Sequence, residues 1–131
     1  MKTLIVEDDF TSRLMLQTLL SRYGPCHVAV NGREAVQAAE IALDGGDPYN
    51  LVCMDILMPE MNGQEAVQKI RQLEEDREIY SDKGARIFMT TAMNQARDVM
   101  QAFHGLCDVY LFKPVDAGEL LDKLRNYHLI Q

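Results

Sequence analysis

The chain has 131 residues, 47% hydrophobic and 25% charged, values that suit a soluble globular protein with one core and one domain, residues 1–131. Its formal net charge of -7 repels phosphate backbones and anionic lipid, so neither nucleic acid nor a membrane surface is expected as a direct partner. The apolar runs are only a few residues long, too short to span a bilayer, and the N-terminus turns acidic after one such run, unlike a signal peptide, so a cytoplasmic location is expected.

Short apolar runs alternate with amphipathic stretches along the whole chain. Residues 3–6 read as a buried strand that ends in Glu7-Asp8-Asp9. A helix is predicted over 11–23, with Leu16, Leu19, Leu20 and Tyr23 on one buried face, and Gly24-Pro25 ends it. A strand over 26–30 and a helix over 32–43 follow, closed by the turn cluster Asp44-Gly45-Gly46-Asp47-Pro48. Leu51-Val52-Cys53-Met54 reads as the third strand, with Asp55 at its end and a Pro/Asn/Gly loop after it. Then come a helix over 64–76, a strand over 86–90, a helix over 94–105, a strand over 109–112 and a helix over 117–127, for which Asp116 is the expected N-cap.

Such alternation predicts an α/β fold: a doubly wound, five-stranded parallel sheet with five helices on its two faces. The flavodoxin-like strand order 2-1-3-4-5 is one of the few arrangements available, with its site at the switch point between strands 1 and 3. The segment 74–84 is long and highly charged for a connection, and it reads as a solvated face. Three cysteines without a CxxC spacing read as small hydrophobes rather than a disulfide or zinc site, and the three histidines match no ligand spacing. The last helix runs almost to Gln131, so no output domain is expected after it.

The chemistry gathers at the strand ends. Glu7-Asp8-Asp9, Asp55, Thr90-Thr91 and Lys113-Pro114 follow strands 1, 3, 4 and 5, and a parallel sheet brings those ends to one edge. Carboxylates that close repel one another unless a positive charge neutralises them. Oxygen donors without a His or Cys cluster favour Mg²⁺ over zinc. With Lys113 as a fixed cation and Thr91 as a hydroxyl donor, the set reads as an acceptor for a phosphoryl group. Alone, each residue has a blander reading: an aspartate after a strand caps a helix, a lysine covers the surface, and a tyrosine such as Tyr110 half-fills a sheet face.

These pieces together resemble the receiver domain of two-component response regulators, and are similar to the single-domain, CheY-like type. The matching segments are Leu4-Ile5-Val6-Glu7-Asp8-Asp9, Asp55-Ile56-Leu57-Met58-Pro59-Glu60-Met61-Asn62-Gly63, Met89-Thr90-Thr91-Ala92 and Tyr110-Leu111-Phe112-Lys113-Pro114, in the family's order. The resemblance implies that Asp55 takes a phosphoryl group from a sensor histidine kinase or histidine phosphotransfer protein. It implies Mg²⁺ held by Asp8, Asp55 and the backbone carbonyl of Leu57, with Glu7 acting through a bound water. Lys113 would pair with Asp55 at rest and with the phosphoryl group afterwards, Thr91 would hydrogen-bond that group, Tyr110 would turn inward, and the Lys113–Pro114 bond would be cis. The family usually has a basic residue five positions after its second acid, and Arg13 stands five after Asp8, so the resemblance implies Glu7 and Asp8 as the acidic pair and leaves Asp9 outside it.

Further implications concern rate and output. Leu57 and Met93 flank the route of the hydrolytic water in this family, and two apolar side chains there imply slow self-dephosphorylation. The readout face is expected on the fourth helix, fifth strand and fifth helix, residues 94–105 and 110–127, with Val99, Met100 and Phe103 on its docking surface. The downstream protein is unknown, and phosphorylation-dependent dimerisation is left open. The effect is either a regulated interaction or onward phosphoryl transfer in a relay. Turnover on outside substrates is not expected, because Leu57 stands where aspartate-based phosphatases carry a second aspartate. A flavin module would need a phosphate loop, and Glu7-Asp8-Asp9 has the wrong charge for it. A pseudo-receiver is the weakest rival, since every key position is filled.

Overall fold

The computed structural model describes residues 1–56, 58, 61–80, 83–92 and 106–131. Strands β1 (Thr3–Val6), β2 (Cys26–Ala29), β3 (Leu51–Asp55), β4 (Arg86–Thr91) and β5 (Val109–Phe112) form one parallel sheet in the order β2-β1-β3-β4-β5. Around it lie α1 (Phe10–Leu20), α2 (Gly32–Asp44), α3 (Gly63–Asp76) and a C-terminal helix, Ala117–Asn126. The helix expected over 94–105 lies outside the described residues.

The pleat sorts the core. Side chains alternate across a strand, so Leu4, Val6, Val52, Met54, Ile87 and Met89 fall on one face, against α2 and α3. Ile5, Leu51, Cys53, Phe88 and Leu111 fall on the other, against α1 and the C-terminal helix. The central strands carry apolar residues at nearly every position because both faces are covered. Each fully buried Leu, Ile, Phe or Met is worth roughly 1.5–3 kcal/mol of transfer free energy.

Asx caps start every one of these helices. Asp9, Asn31, Asn62 and Asp116 accept from the backbone N–H of Ser12, Glu34, Glu65 and Glu119 at 2.9, 2.8, 2.9 and 2.9 Å. Such a cap contributes about 1 kcal/mol.

Several local expectations shift. The first helix is α-helical only to Leu20, and Ser21–Tyr23 tighten into a 3-10 turn. On its buried face Leu16 and Leu20 are enclosed, while Leu19 and Tyr23 stay half-buried. Strand β2 stops at Ala29 rather than 30, whereas β3 and β4 each run one residue further, to Asp55 and Thr91. The register explains the extension, because Asp55 pairs with Thr90 and Thr91 with Phe112.

The charged segment 74–84 is not wholly a solvated face. Glu74 is buried, and its carboxylate accepts from Arg71 Nη1 at 2.8 Å and from the Ala85 N–H at 2.7 Å. Arg71 also donates to the Leu106 and Ala85 carbonyls at 2.9 and 2.8 Å and to Asp108 at 3.2 Å. Asp108 in turn accepts from Arg86 at 3.2 Å and from the Ile87 N–H at 2.8 Å. This network ties α3 to the N-terminal ends of β4 and β5, opposite the edge where the strand-end carboxylates gather.

Candidate functional site

At the C-terminal edge of the sheet, Glu7 follows β1, Asp55 closes β3 and Lys113 follows β5. Glu7, Asp8 and Asp55 each offer one carboxylate oxygen within 4.8 Å of the others. The Lys113 ammonium reaches into the cluster, 3.2 Å from Asp55 Oδ2 and 3.2 Å from Glu7 Oε2. The pairing with Asp55 was expected from the sequence; the equal pairing with Glu7 was not. Glu7 and Asp55 are buried, whereas Asp8 is exposed and opens the cluster to solvent.

Electrostatics follow from that placement. Burial pushes the Glu7 carboxyl above its ordinary value, repulsion from Asp55 adds to the rise, and Lys113 only partly opposes it. Burial works against the Lys113 charge, but Asp55 and Glu7 outweigh it and hold the ammonium above its usual range. Among the described residues, three carboxylates against one ammonium leave a formal surplus of two negative charges, the charge of one divalent cation. Mg²⁺ is bound through one or two carboxylates at about 2.1 Å, with water filling other positions. The donor set fits such an ion: all oxygen, clustered, and open at Asp8.

Neighbouring contacts set Asp9 apart from Glu7 and Asp8. Arg13 Nη1 donates to the Glu7 carbonyl at 3.2 Å, while Asp9 turns away to cap α1. Thr91 is buried at the end of β4, and its hydroxyl donates to the Ala92 carbonyl at 3.3 Å. Tyr110 pairs with Met89, two residues before Thr91, so Tyr110 and Thr91 share one face of the sheet. It is half-buried against the α3-side core, and its phenol is raised in pKa by burial and by the Cys107 thiol. The Lys113–Pro114 bond is cis. Thr90 lies opposite Asp55 in the register and bonds the Met54 carbonyl at 3.5 Å. Leu57, Met93, Val99, Met100 and Phe103 lie outside the described residues.

Two features went unread in the sequence. Phe10 and Leu14 are exposed on α1 beside the site, 66% and 50% accessible. Next to them Glu7 and Lys113 line a cleft of about 280 Å³ with Met15, Leu16, Pro114 and Val115. The signal for Leu14 was its phase, since it falls off the Leu16–Leu20 stripe of that helix. The second is Gly32, whose amide donates to the Met61 carbonyl at 3.1 Å; nothing local in the sequence marks that contact.

Known proteins resemble this chain in sequence and fold. The model of the response regulator receiver domain matches residues 3–125. Chemotaxis protein CheY of Thermotoga maritima is 32% identical over 95% of this chain and 95% of its own length. Hybrid signal transduction histidine kinase L of Dictyostelium discoideum is 30% identical over 96% of this chain, which spans only 7% of that kinase. Among solved structures, the receiver domain of the response regulator Ssk1 of Saccharomyces cerevisiae has a TM-score of 0.81 at 30% identity, covering 97% of this chain and 88% of that one. That receiver was crystallised with the histidine phosphotransfer protein Ypd1.

Proposed function

This chain belongs to the response regulator receiver domain family of two-component systems, and on that premise we propose that Asp55 is the residue that accepts the phosphoryl group, in a Mg²⁺-dependent reaction. The observation that carries the reading is the Lys113 ammonium held 3.2 Å from both Asp55 and Glu7 inside a cluster that still has surplus negative charge.

The step is a displacement at phosphorus. An Asp55 carboxylate oxygen forms the new P–O bond as the P–N bond to a donor imidazole breaks, and the imidazole leaves with the electron pair. Asp8 and Asp55 would hold Mg²⁺ directly, with Glu7 acting through a bound water and the Leu57 carbonyl as a further oxygen donor. Bound there, the ion would neutralise charge on the transferring group. Lys113 stays fixed by Glu7 and can follow the charge from the carboxylate to the phosphoryl oxygens. Among the described residues, the Thr91 hydroxyl has a 3.3 Å bond to its neighbour's carbonyl to give up before it can donate to the new group. Tyr110, on the same face, can then fill the space left behind.

The donor is a sensor histidine kinase or a histidine phosphotransfer protein. Exposed Phe10 and Leu14 beside the cleft supply it with apolar contact area. The readout face is the region 94–105 with 110–127, including Val99, Met100 and Phe103, for a downstream protein or a second copy. The chain assists its own phosphorylation and slow dephosphorylation and turns over no outside substrate. Polar residues in place of Leu57 and Met93 should speed phosphate loss from the labelled protein; an unchanged decay would remove them from that role.

Intact-mass analysis after incubation with acetyl phosphate tests the reading. One phosphoryl adduct, formed only with Mg²⁺ and absent from Asp55→Asn, is expected. An adduct that persists in Asp55→Asn would overturn it. Back-transfer from the labelled protein to a histidine phosphotransfer protein would make it a relay carrier; none would make it an interaction switch.

A further inference from the structure

The turn between β2 and α2 touches the loop after Asp55 through a backbone bond. The first amides of a helix have no intrahelical partner. In α2 the Glu34 N–H is taken by Asn31 at 2.8 Å, and the Gly32 N–H is taken by the Met61 carbonyl at 3.1 Å. Asn31 and Gly32 are both buried, and Glu34 Oε1 accepts from the Val30 N–H at 3.0 Å, so the turn that aims the Gly32 amide is itself pinned.

Space, not backbone conformation, demands glycine here. Gly32 is not among the glycines at positive φ. A Cβ at this position would sit 2.2 Å from the Met61 carbonyl oxygen. Carbon–oxygen contacts settle near about 3.3–3.6 Å, so any side chain forces position 32 and the Met61 peptide apart by roughly 1 Å.

That displacement has a short route to the acceptor. Two residues after Met61, Gly63 donates to the Ile56 carbonyl at 3.0 Å. Gly63 packs so closely that a Cβ there would lie 2.9 Å from the Asp55 carbonyl oxygen and 3.0 Å from Ile56 Cα. Ile56 in turn donates to the Thr90 carbonyl at 3.2 Å, where β3 meets β4.

We propose that the Gly32 amide is a positioning group for the phosphoacceptor: by holding Met61 it fixes the Gly63 backbone against Asp55, and so fixes the direction of the Asp55 carboxylate. The inference rests on the reading of Asp8 and Asp55 as Mg²⁺ ligands. Gly32 touches neither metal nor phosphoryl group. Mg²⁺ demands near-ideal ligand geometry, and a shift of about 1 Å in a supporting contact can cost about a hundredfold in rate.

Calorimetric Mg²⁺ titration of wild type, Gly32→Ala and Met61→Ala separates positioning from mere stability. Gly32→Ala should bind Mg²⁺ about tenfold or more weakly and label about a hundredfold more slowly with acetyl phosphate. Met61→Ala keeps the carbonyl and loses only packing, so it should unfold more easily while its Mg²⁺ affinity is retained. Coupling is reciprocal, so saturating wild type with Mg²⁺ should slow hydrogen exchange at the Gly32 amide, a readout that stands even where Gly32→Ala does not fold. Unchanged Mg²⁺ affinity in folded Gly32→Ala, or a Gly32 amide indifferent to Mg²⁺, overturns the positioning role. Wild type that binds no Mg²⁺ overturns the metal reading, and this inference with it.

Discussion

The two ends of the sheet hold their charges in opposite ways. At the N-terminal ends of β4 and β5, Arg71 and Arg86 face Glu74 and Asp108, and backbone groups at Ala85, Ile87 and Leu106 take part in the same network. Positive and negative charges match there, and the Arg86 guanidinium also lies 4.8 Å from the Tyr127 ring centroid. At the C-terminal ends, Glu7 and Asp55 share Lys113, Asp8 lies beside them, and among the described residues the cluster remains in surplus. Each end buries carboxylate, Glu74 at one and Glu7 with Asp55 at the other, so burial of charge does not by itself mark a working site. Imbalance does: a saturated network has nothing left to offer a ligand, whereas an unsaturated one is held ready for a cation and an incoming phosphoryl group.

Substitutions at the two ends should therefore separate function from stability. Asp55→Asn should lose phosphoryl uptake entirely while its thermal midpoint does not fall, since the change removes one of several repelling charges; mass analysis and a melt on the same sample show both. Arg71→Met should do the reverse. Removing it leaves two carboxylates short of a partner, a loss of roughly 3 kcal/mol in urea unfolding, with acetyl phosphate labelling of the folded protein unchanged. Loss of labelling there would break the comparison.

The N-terminal end has one flaw. Among the described residues, Thr3 Oγ1, at the start of β1, is a buried side-chain oxygen without a hydrogen-bond partner. Thr3→Val keeps the shape and removes the orphan, so it should raise unfolding free energy by about 1 kcal/mol and leave labelling untouched.

A finer effect belongs to Glu7. Its folded pKa lies above the ordinary carboxylate value, so between the two values the folded state binds more protons than the unfolded one. Metal-free protein should lose stability as pH rises from the unfolded Glu7 value through the folded one. Glu7→Gln should flatten that slope in chemical denaturation across pH. Mg²⁺ binding should strengthen over the same window, because a ligand-supporting carboxylate must first lose its proton.

Much of the C-terminal end was legible in the sequence because each contributor sits at the end of its own strand. The short apolar runs marked the strands, and parallel order brought Glu7, Asp55, Thr91 and Lys113 to one edge without any knowledge of contacts. The N-terminal end was not legible. Glu74 sits in a run of charges that looks solvated, and only Arg71, three residues before it, is local. Asp108 and Arg86 reach the network across long stretches of chain, where no periodicity points. Gly32 was hidden for the same reason: an Asn-Gly before a helix reads as an ordinary cap, and its partner Met61 lies in another connection.

The most direct measurement is the position of the phosphoryl group itself. Protein labelled with acetyl phosphate and Mg²⁺, then reduced with borohydride, converts a phosphoaspartate to homoserine that peptide mapping can locate. Homoserine at position 55 alone, and only when Mg²⁺ was present, is the predicted result. Conversion at Asp8 or Asp108, or at position 55 to the same extent without Mg²⁺, would contradict the account.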